Sequence, residues 1–304
     1  MDASIVVCTY NRASSLGDTI KALRALETPA GCEWEVLVVD NNSKDNTRTV
    51  VERAAASWDR LRYLFEASQG LSHARNRGIA EARGRTILFT DDDVLPEPDW
   101  LTRTLAGLDH YRADACGGYI APMWERPPPP WLTERFYGFL AVRTDRVDDY
   151  RIGPQDLTPF GANMAFRRTV FDQVGCFDTQ RGRNGAVLAS GEDSDMFDRI
   201  LRSGLKVVFL GGARVHHKVE AYRATKRYFR RWRLQTSRNQ AQSQGLEGSR
   251  RLFNIPYFVF TQFARALGRM LWGWVSAPRD EAFQREMIVY HFIGLMQGLH
   301  RRPK

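Results

Sequence analysis

Three consecutive carboxylates, Asp91-Asp92-Asp93, follow directly on Thr86-Ile87-Leu88-Phe89-Thr90, a run suited to a buried strand. A core strand ending in charge sets its cluster at the rim of a sheet, where open α/β sheets bind ligands. Adjacent like charges repel, so the triplet calls for a cation or strong donors. Two readings stand open on these residues alone: a divalent metal beside phosphates, or an acidic turn that caps the next helix. A second acidic group, Glu192-Asp193, lies between Gly191 and the helical spacing of Met196, Phe197, Ile200 and Leu201. A helix N-terminus favours the ionised form of a carboxylate there, which makes an aspartate available as a base at neutral pH. Plain helix capping is the alternative. His216-His217 ends another strand pattern. Imidazole suits a transition metal such as Mn2+, although a histidine is as readily a core or surface residue.

These groups lie far apart in the chain and need elements that converge. Ser4-Ile5-Val6-Val7-Cys8 reads as a buried strand ending at Thr9-Tyr10-Asn11-Arg12. Ser15 with Asp18 reads as a capping box, before Leu16, Ile20, Leu23 and Leu26 at helical spacing. Glu35 to Asp40 is a second strand that ends on a carboxylate, followed by the polar turn Asn41-Asn42-Ser43-Lys44-Asp45 and a helix over Thr49 to Ser57. Leu61 to Phe65 suits a third strand, and Gly70 to Ala82 a helix. Strands alternating with helices predict a mostly parallel sheet with right-handed crossovers. Parallel strands bring Thr9, Tyr10, Asn11, Asp40 and Asp91 to Asp93 to one rim. No GxGxxG or GxxxxGK[ST] element follows the first strand, which excludes the common dinucleotide and P-loop sites.

From Pro96 onward the pattern changes. A helix is expected over Trp100 to Tyr111 and a strand over Cys116 to Ile120. The stiff run Pro127-Pro128-Pro129-Pro130 is either a surface linker or, with Trp124 and Trp131, one wall of an acceptor cleft. Thr158 to Phe166 reads as a glycine-broken strand, Arg167 to Val174 as a short helix, and Gly182 to Ser190 as a mobile loop. Gly204 ends the helix that Gly191 opens. Lys206 to Leu210 is a further strand, leading on to His217.

The chain of 304 residues carries 44 Lys and Arg against 35 Asp and Glu, a formal charge of +9. That excess points to an anionic partner: a nucleotide, a nucleic acid or an acidic membrane surface. No nucleic-acid module accompanies it, so nucleic acid is not expected. Cys8, Cys32, Cys116 and Cys176 are scattered and form no CxxC pair, as expected of reduced thiols in a cytosolic protein. The chain enters a strand pattern at once, so no signal peptide is expected, and no apolar run reaches the roughly 18 to 20 residues of a spanning helix. Residues 214 to 251 hold eleven Lys or Arg against two Glu. Amphipathic helices follow over Leu252 to Val275 and Glu281 to Leu299. Together these suit a peripheral location, in the plane of an anionic inner membrane surface. Packing on the catalytic domain or on a second subunit is the other reading.

The ordered motifs resemble the family 2 inverting glycosyltransferases of the GT-A fold. Val6-Val7-Cys8-Thr9-Tyr10-Asn11-Arg12, Val38-Val39-Asp40-Asn41-Asn42-Ser43, Gly70 to Gly78 and Phe89-Thr90-Asp91-Asp92-Asp93 (the family's DXD motif) come in that family's order. Gly161-Ala162-Asn163-Met164-Ala165-Phe166-Arg167 and Gly191-Glu192-Asp193 complete the set. The resemblance implies a GT-A catalytic domain over residues 1–220, its mostly parallel sheet flanked by helices, and a basic helical extension over 221–304. It implies transfer of a sugar from a UDP- or dTDP-linked donor to a hydroxyl of a glycan or lipid-linked acceptor, with inversion and with Mn2+ or Mg2+ as cofactor. Thr9, Tyr10 and Arg12 would line the base pocket, and Asp40 would accept from the pyrimidine N3–H. Arg75 and Asn76 would lie near the nucleotide, with Asn11, Asn42, Asn163 and Glu192 also among the donor contacts. Asp92 would meet the ribose and Asp93 the metal, with Asp91 orienting both. His217, in preference to His216, would be a second metal ligand, and Asp193 the general base. The alternatives are a nucleotidyltransferase of related fold and a non-catalytic sugar-nucleotide or glycan-binding module. The first lacks its phosphate loop over Thr9 to Ser14, and the second does not require Asp193.

Overall fold

The computed structural model describes residues 1–180, 191–246 and 250–301. The expected mobile loop over 182–190 therefore lies outside the described residues. The chain begins β1 (Ala3–Thr9), α1 (Ala13–Arg24), β2 (Trp34–Asp40), α2 (Thr47–Ala55), β3 (Leu61–Phe65), α3 (Leu71–Glu81), β4 (Thr86–Asp91). Strands β3, β2, β1 and β4 lie side by side and all parallel, with Thr9 beside Asp40 and Cys8 beside Asp91. The carboxylates thus meet on one rim, as the alternation predicts.

The second half of the sheet is mixed in direction. It comprises β5 (Val94–Pro96), β6 (Ala115–Trp124), β7 (Tyr150–Ile152), β8 (Met164–Arg167) and β9 (Val207–Val219), with α4 (Trp100–His110), α5 (Arg168–Val174) and α6 (Glu192–Arg202) between them. Among the described residues the order is β3-β2-β1-β4-β8-β6-β9-β5, with β7 on the other part of β9. The expected strand over Thr158 to Phe166 is only Met164–Arg167, because residues before it turn back to bond other elements. The two pieces expected around Lys206 and His217 are one strand of 13 residues.

Alternation along the strands sends side chains to two layers. Ile5, Val7, Val36, Val38 and Leu88 pack with Leu16, Val51, Trp100 and Leu108 on one face. Val6, Leu37, Val39, Ile87 and Phe89 pack with Ile79, Phe171, Met196 and Phe197 on the other. One expectation fails at α1. The helix starts at Ala13, and its N-cap residue, Arg12, makes no side-chain cap bond. Ser15 Oγ instead donates to the Arg12 carbonyl, and Asp18 pairs with Lys218 at 2.6 Å. Asp45 from the β2–α2 turn accepts the Ala13 N–H at 3.1 Å. The cap comes from a neighbouring loop, which local spacing does not encode.

Residues 1–123, with 141–180 and 191–218, form one compact unit; residues 124–140, with 219–246 and 250–301, form a second. The second unit contains α7 (Lys226–Gln244), α8 (Tyr257–Ser276) and α9 (Arg279–His300). The helix expected from Leu252 starts at Tyr257, after Pro256, which cannot donate the bond that an earlier start would require. Trp131 and Phe136, on either side of the start of a 3-10 turn over Glu134–Leu140, pack against Phe229 of α7 and Phe283 of α9, edge-on in every pair but the tilted Phe136–Phe283. Close approach of α7 to α9 needs Gly294 and Gly298: a Cβ there would lie 2.5 Å from the Leu234 carbonyl oxygen and 2.3 Å from that of Arg238.

Candidate active site

The β1–α1 and β2–α2 turns build the rim together. Asn11 and Asn42 both hold left-handed backbone, at φ 53° and 65°, a conformation that asparagine tolerates better than most residues. The Asn11 N–H donates to Ser43 Oγ at 2.9 Å, and the Lys44 N–H donates to Asn11 Oδ1 at 2.7 Å. Asp40 is buried beneath them. Its Oδ1 accepts the Ser43 N–H and its Oδ2 the Tyr63 hydroxyl, each at 2.9 Å. Burial, followed by the bond to Asp40, pushes the Tyr63 phenol up to about 12. Asn41 ties the next loop to the strand end, donating to the Ser68 carbonyl at 2.7 Å and accepting the Gly70 N–H at 2.7 Å. Neither Asn41 nor Tyr63 is among the site residues that the sequence singles out. An amide at a strand end was a usable signal for Asn41, whereas Tyr63 follows only from the β2–β3 register.

At the centre of the sheet Asp92 and Asp93 are buried. Arg12 Nη1 donates to Asp93 Oδ2 at 2.9 Å, and His217 Nε2 lies 3.2 Å from Asp93 Oδ1. The register explains this meeting. Strand β5 begins directly after the triplet and pairs Val94 with His217, and the Lys218 N–H donates to the Asp93 carbonyl at 2.9 Å. Alternation along β9 turns His217 inward, while His216 turns out to Glu97 at 3.3 Å. Burial first, and then the neighbouring Asp93 charge, raise the Asp92 carboxyl, against the pull of Arg12. Asp93 and His217 bring a carboxylate oxygen and an imidazole nitrogen together, and that donor pair fits a divalent cation such as Mn2+. Among the described residues no group of three or more His, Cys, Asp or Glu side chains is already gathered as a ready-made cation cage.

A third group joins α3 to α6. Arg75 is buried, stacks over Phe177 at 5.1 Å, and donates from Nη1 to Asp193 Oδ1 and, at 3.3 Å, to Glu192 Oε1. Burial opposes the guanidinium charge, but Asp193, Glu192 and Asp91 outweigh it and raise the group above its usual value. The other Asp193 oxygen accepts the Gly161 N–H at 2.8 Å. A Cβ on Gly161 would lie 1.9 Å from Arg75 Nη2 and 3.1 Å from Asp193 Oδ2, so only glycine lets the loop approach.

Not every expected contact residue opens onto this rim. Asn76 spends its amide on the Phe177 backbone, donating at 2.8 Å and accepting at 2.9 Å. Asn163 is buried at the junction of α4, β6 and β9. It accepts from Trp100 Nε1 at 2.9 Å and donates to the Tyr119 and Ala213 carbonyls at 3.0 and 2.8 Å. Both amides are engaged within the fold. Thr9 is buried at the end of β1, and Tyr10 beside it is exposed.

A mostly parallel sheet interrupted by the reversed strand β8, flanked by helices and with carboxylates on its rim, is the GT-A architecture of nucleotide-sugar transferases. Comparison with known proteins agrees. The mannosyltransferase PcManGT from Pyrobaculum calidifontis, solved with GDP-Man and Mn2+, is similar with a TM-score of 0.56 and 22% identity, over 94% of this chain and 69% of that one. The chain belongs to glycosyl transferase family 2: that family's model matches residues 4–175. It is 30% identical to the glucosyl-dolichyl phosphate glucuronosyltransferase of Haloferax volcanii, over 73% of this chain and 71% of the relative. It is 29% identical to the succinoglycan biosynthesis protein ExoM of Rhizobium meliloti, over 83% of this chain and 78% of the relative. The protein is therefore a glycosyltransferase, and the nucleotidyltransferase and binding-module alternatives give way.

Proposed function

We propose that this glycosyltransferase moves a sugar from a UDP- or dTDP-linked donor to a hydroxyl of a glycan or lipid-linked acceptor, with inversion. The observation that carries the reading is the Arg75-centred group: one carboxylate, Asp193, held from both sides at the start of α6, with Arg75 also feeling Asp91 of the rim. A held carboxylate keeps unused lone pairs on each oxygen and needs no reorganisation to receive a proton.

In this reading the base stacks near Tyr10 and Thr9, and Asp40 accepts the pyrimidine N3–H. The Asp91-Asp92-Asp93 triplet faces the ribose and diphosphate, with Arg12 in the base pocket bonded to Asp93. Asp93 and His217 would hold Mn2+ or Mg2+, which supplies charge neutralisation for the departing nucleoside diphosphate. The acceptor hydroxyl oxygen attacks the anomeric carbon from the side opposite the phosphate. Its proton passes to Asp193, and the carbon–oxygen bond to the phosphate breaks with its electron pair leaving on the diphosphate. One displacement inverts the anomeric centre. The named activities of the relatives, on a dolichyl phosphate carrier and in succinoglycan biosynthesis, support an acceptor in glycoconjugate or polysaccharide assembly.

A panel of UDP-, dTDP- and GDP-sugars tests this, read by thermal shift and by donor hydrolysis with Mn2+ and with chelator. Stabilisation by a uridine or thymidine donor that chelator abolishes is expected. Equal response to every base, or none in the presence of Mn2+, overturns the assignment.

A further inference from the structure

The α8 helix leaves one face uncovered. Val259, Ala266, Met270 and Gly273 form its buried side, and Ala266 and Met270 pack with Val289 of α9. Tyr257, Ala264, Leu267, Leu271 and Trp274 follow one another seven, three, four and three positions apart and are all exposed, so they line one side of the helix. The exposure is large: 50% for Leu271, 59% for Trp274 and 88% for Val275. Among the described residues no element covers this stripe. Single exposed apolar residues need no explanation, but a continuous stripe ending in a tryptophan does.

Charge says what fits against it. Exposed Arg265 and Arg269 run along the flank of the stripe, and the 20 residues of α8 contain no Asp or Glu. A second copy of this helix would set arginines against arginines with no carboxylate on either helix to pair them. A negatively charged lipid surface satisfies both halves: acyl chains receive the stripe, and headgroup phosphates receive the arginines. Tyrosine and tryptophan rings, apolar in body and polar at one edge, suit that boundary. The helix lies along such a surface and does not cross it, since no helix among the described residues is long and apolar enough to span a bilayer.

We infer that α8 is a membrane-surface helix that inserts the Leu267–Leu271–Trp274 stripe into an anionic leaflet. The inference rests on the second unit alone and does not depend on the donor or metal assignments. Flotation of the full chain with phosphatidylcholine vesicles, with and without phosphatidylglycerol, tests it. The wild-type protein floats with the anionic vesicles and is released by high salt. L267E/L271E, at exposed positions, lowers partition by about tenfold or more, because each charge would enter the acyl region. R265Q/R269Q lowers partition on phosphatidylglycerol vesicles by about tenfold or more, and it decides the question should L267E/L271E fail to fold by circular dichroism. No flotation of wild type at low salt, or unchanged flotation of a folded L267E/L271E protein, overturns the inference. A wild-type dimer that L267E/L271E converts to monomer, with no vesicle binding, assigns the stripe to a second copy instead.

Discussion

Asp193 has both oxygens occupied, by Arg75 and by the Gly161 N–H. Such a carboxylate is held in place for its task, and general-base contributions are about a hundredfold to ten-thousandfold in rate. Asp193→Asn should keep donor binding and lower turnover by about a thousandfold; near-normal turnover with bound donor would remove Asp193 from the mechanism. The histidine doublet gives a sharper test, because β9 turns only one of the two towards Asp93. His217→Ala should raise the Mn2+ concentration for half-maximal activity by at least about tenfold. His216→Ala, whose partner is the half-buried Glu97, should leave that concentration unchanged. A metal titration of both variants side by side reads the difference.

Elements matter through what they hold still. Asn163 joins α4, β6 and β9 by three hydrogen bonds from one buried amide. Asn163→Ala leaves the Trp100 N–H and two carbonyls buried without it, and should destabilise the fold by roughly 2–4 kcal/mol, measured as a lowered urea midpoint. The loss should appear in stability before it appears in donor affinity, since this amide has no spare atom for a ligand. Gly161 carries the opposite expectation. Gly161→Ala pushes on the Arg75 guanidinium and the Asp193 carboxylate, so turnover should fall by about a hundredfold while the melting temperature moves little. If turnover survives, the loop has room to yield.

The two compact units divide the labour of the whole chain. The first gathers the rim residues, and the second is built on helices and the ring cluster of Trp131, Phe136, Phe229 and Phe283. Phe283 is almost fully buried. Phe283→Ala should cost roughly 3–5 kcal/mol within the second unit, seen as an early transition in calorimetry. A single unshifted transition would show that the cluster is dispensable. The net charge of +9 adds to the expectation that vesicle binding is salt-sensitive, since exposed charges are screened over about 8 Å at physiological salt.

Much of this was legible in the residues. Period-two apolar runs and their flanking turns identified β1 to β4, and parallel alternation alone brought Thr9, Asp40 and the aspartate triplet to one rim. Asp93 and Asp193 stood out because charge at a strand end or a helix start demands a partner. Other features were decided only by tertiary structure, for one physical reason: they depend on pairing between segments far apart in the chain. The β5–β9 register selects His217 over His216. The Asp45 bond to Ala13 replaces the expected capping box, and the inward bonds of Asn76 and Asn163 make them part of the frame. Burial of Arg75 against Phe177 supplies the cation that holds Asp193, which no local pattern announces.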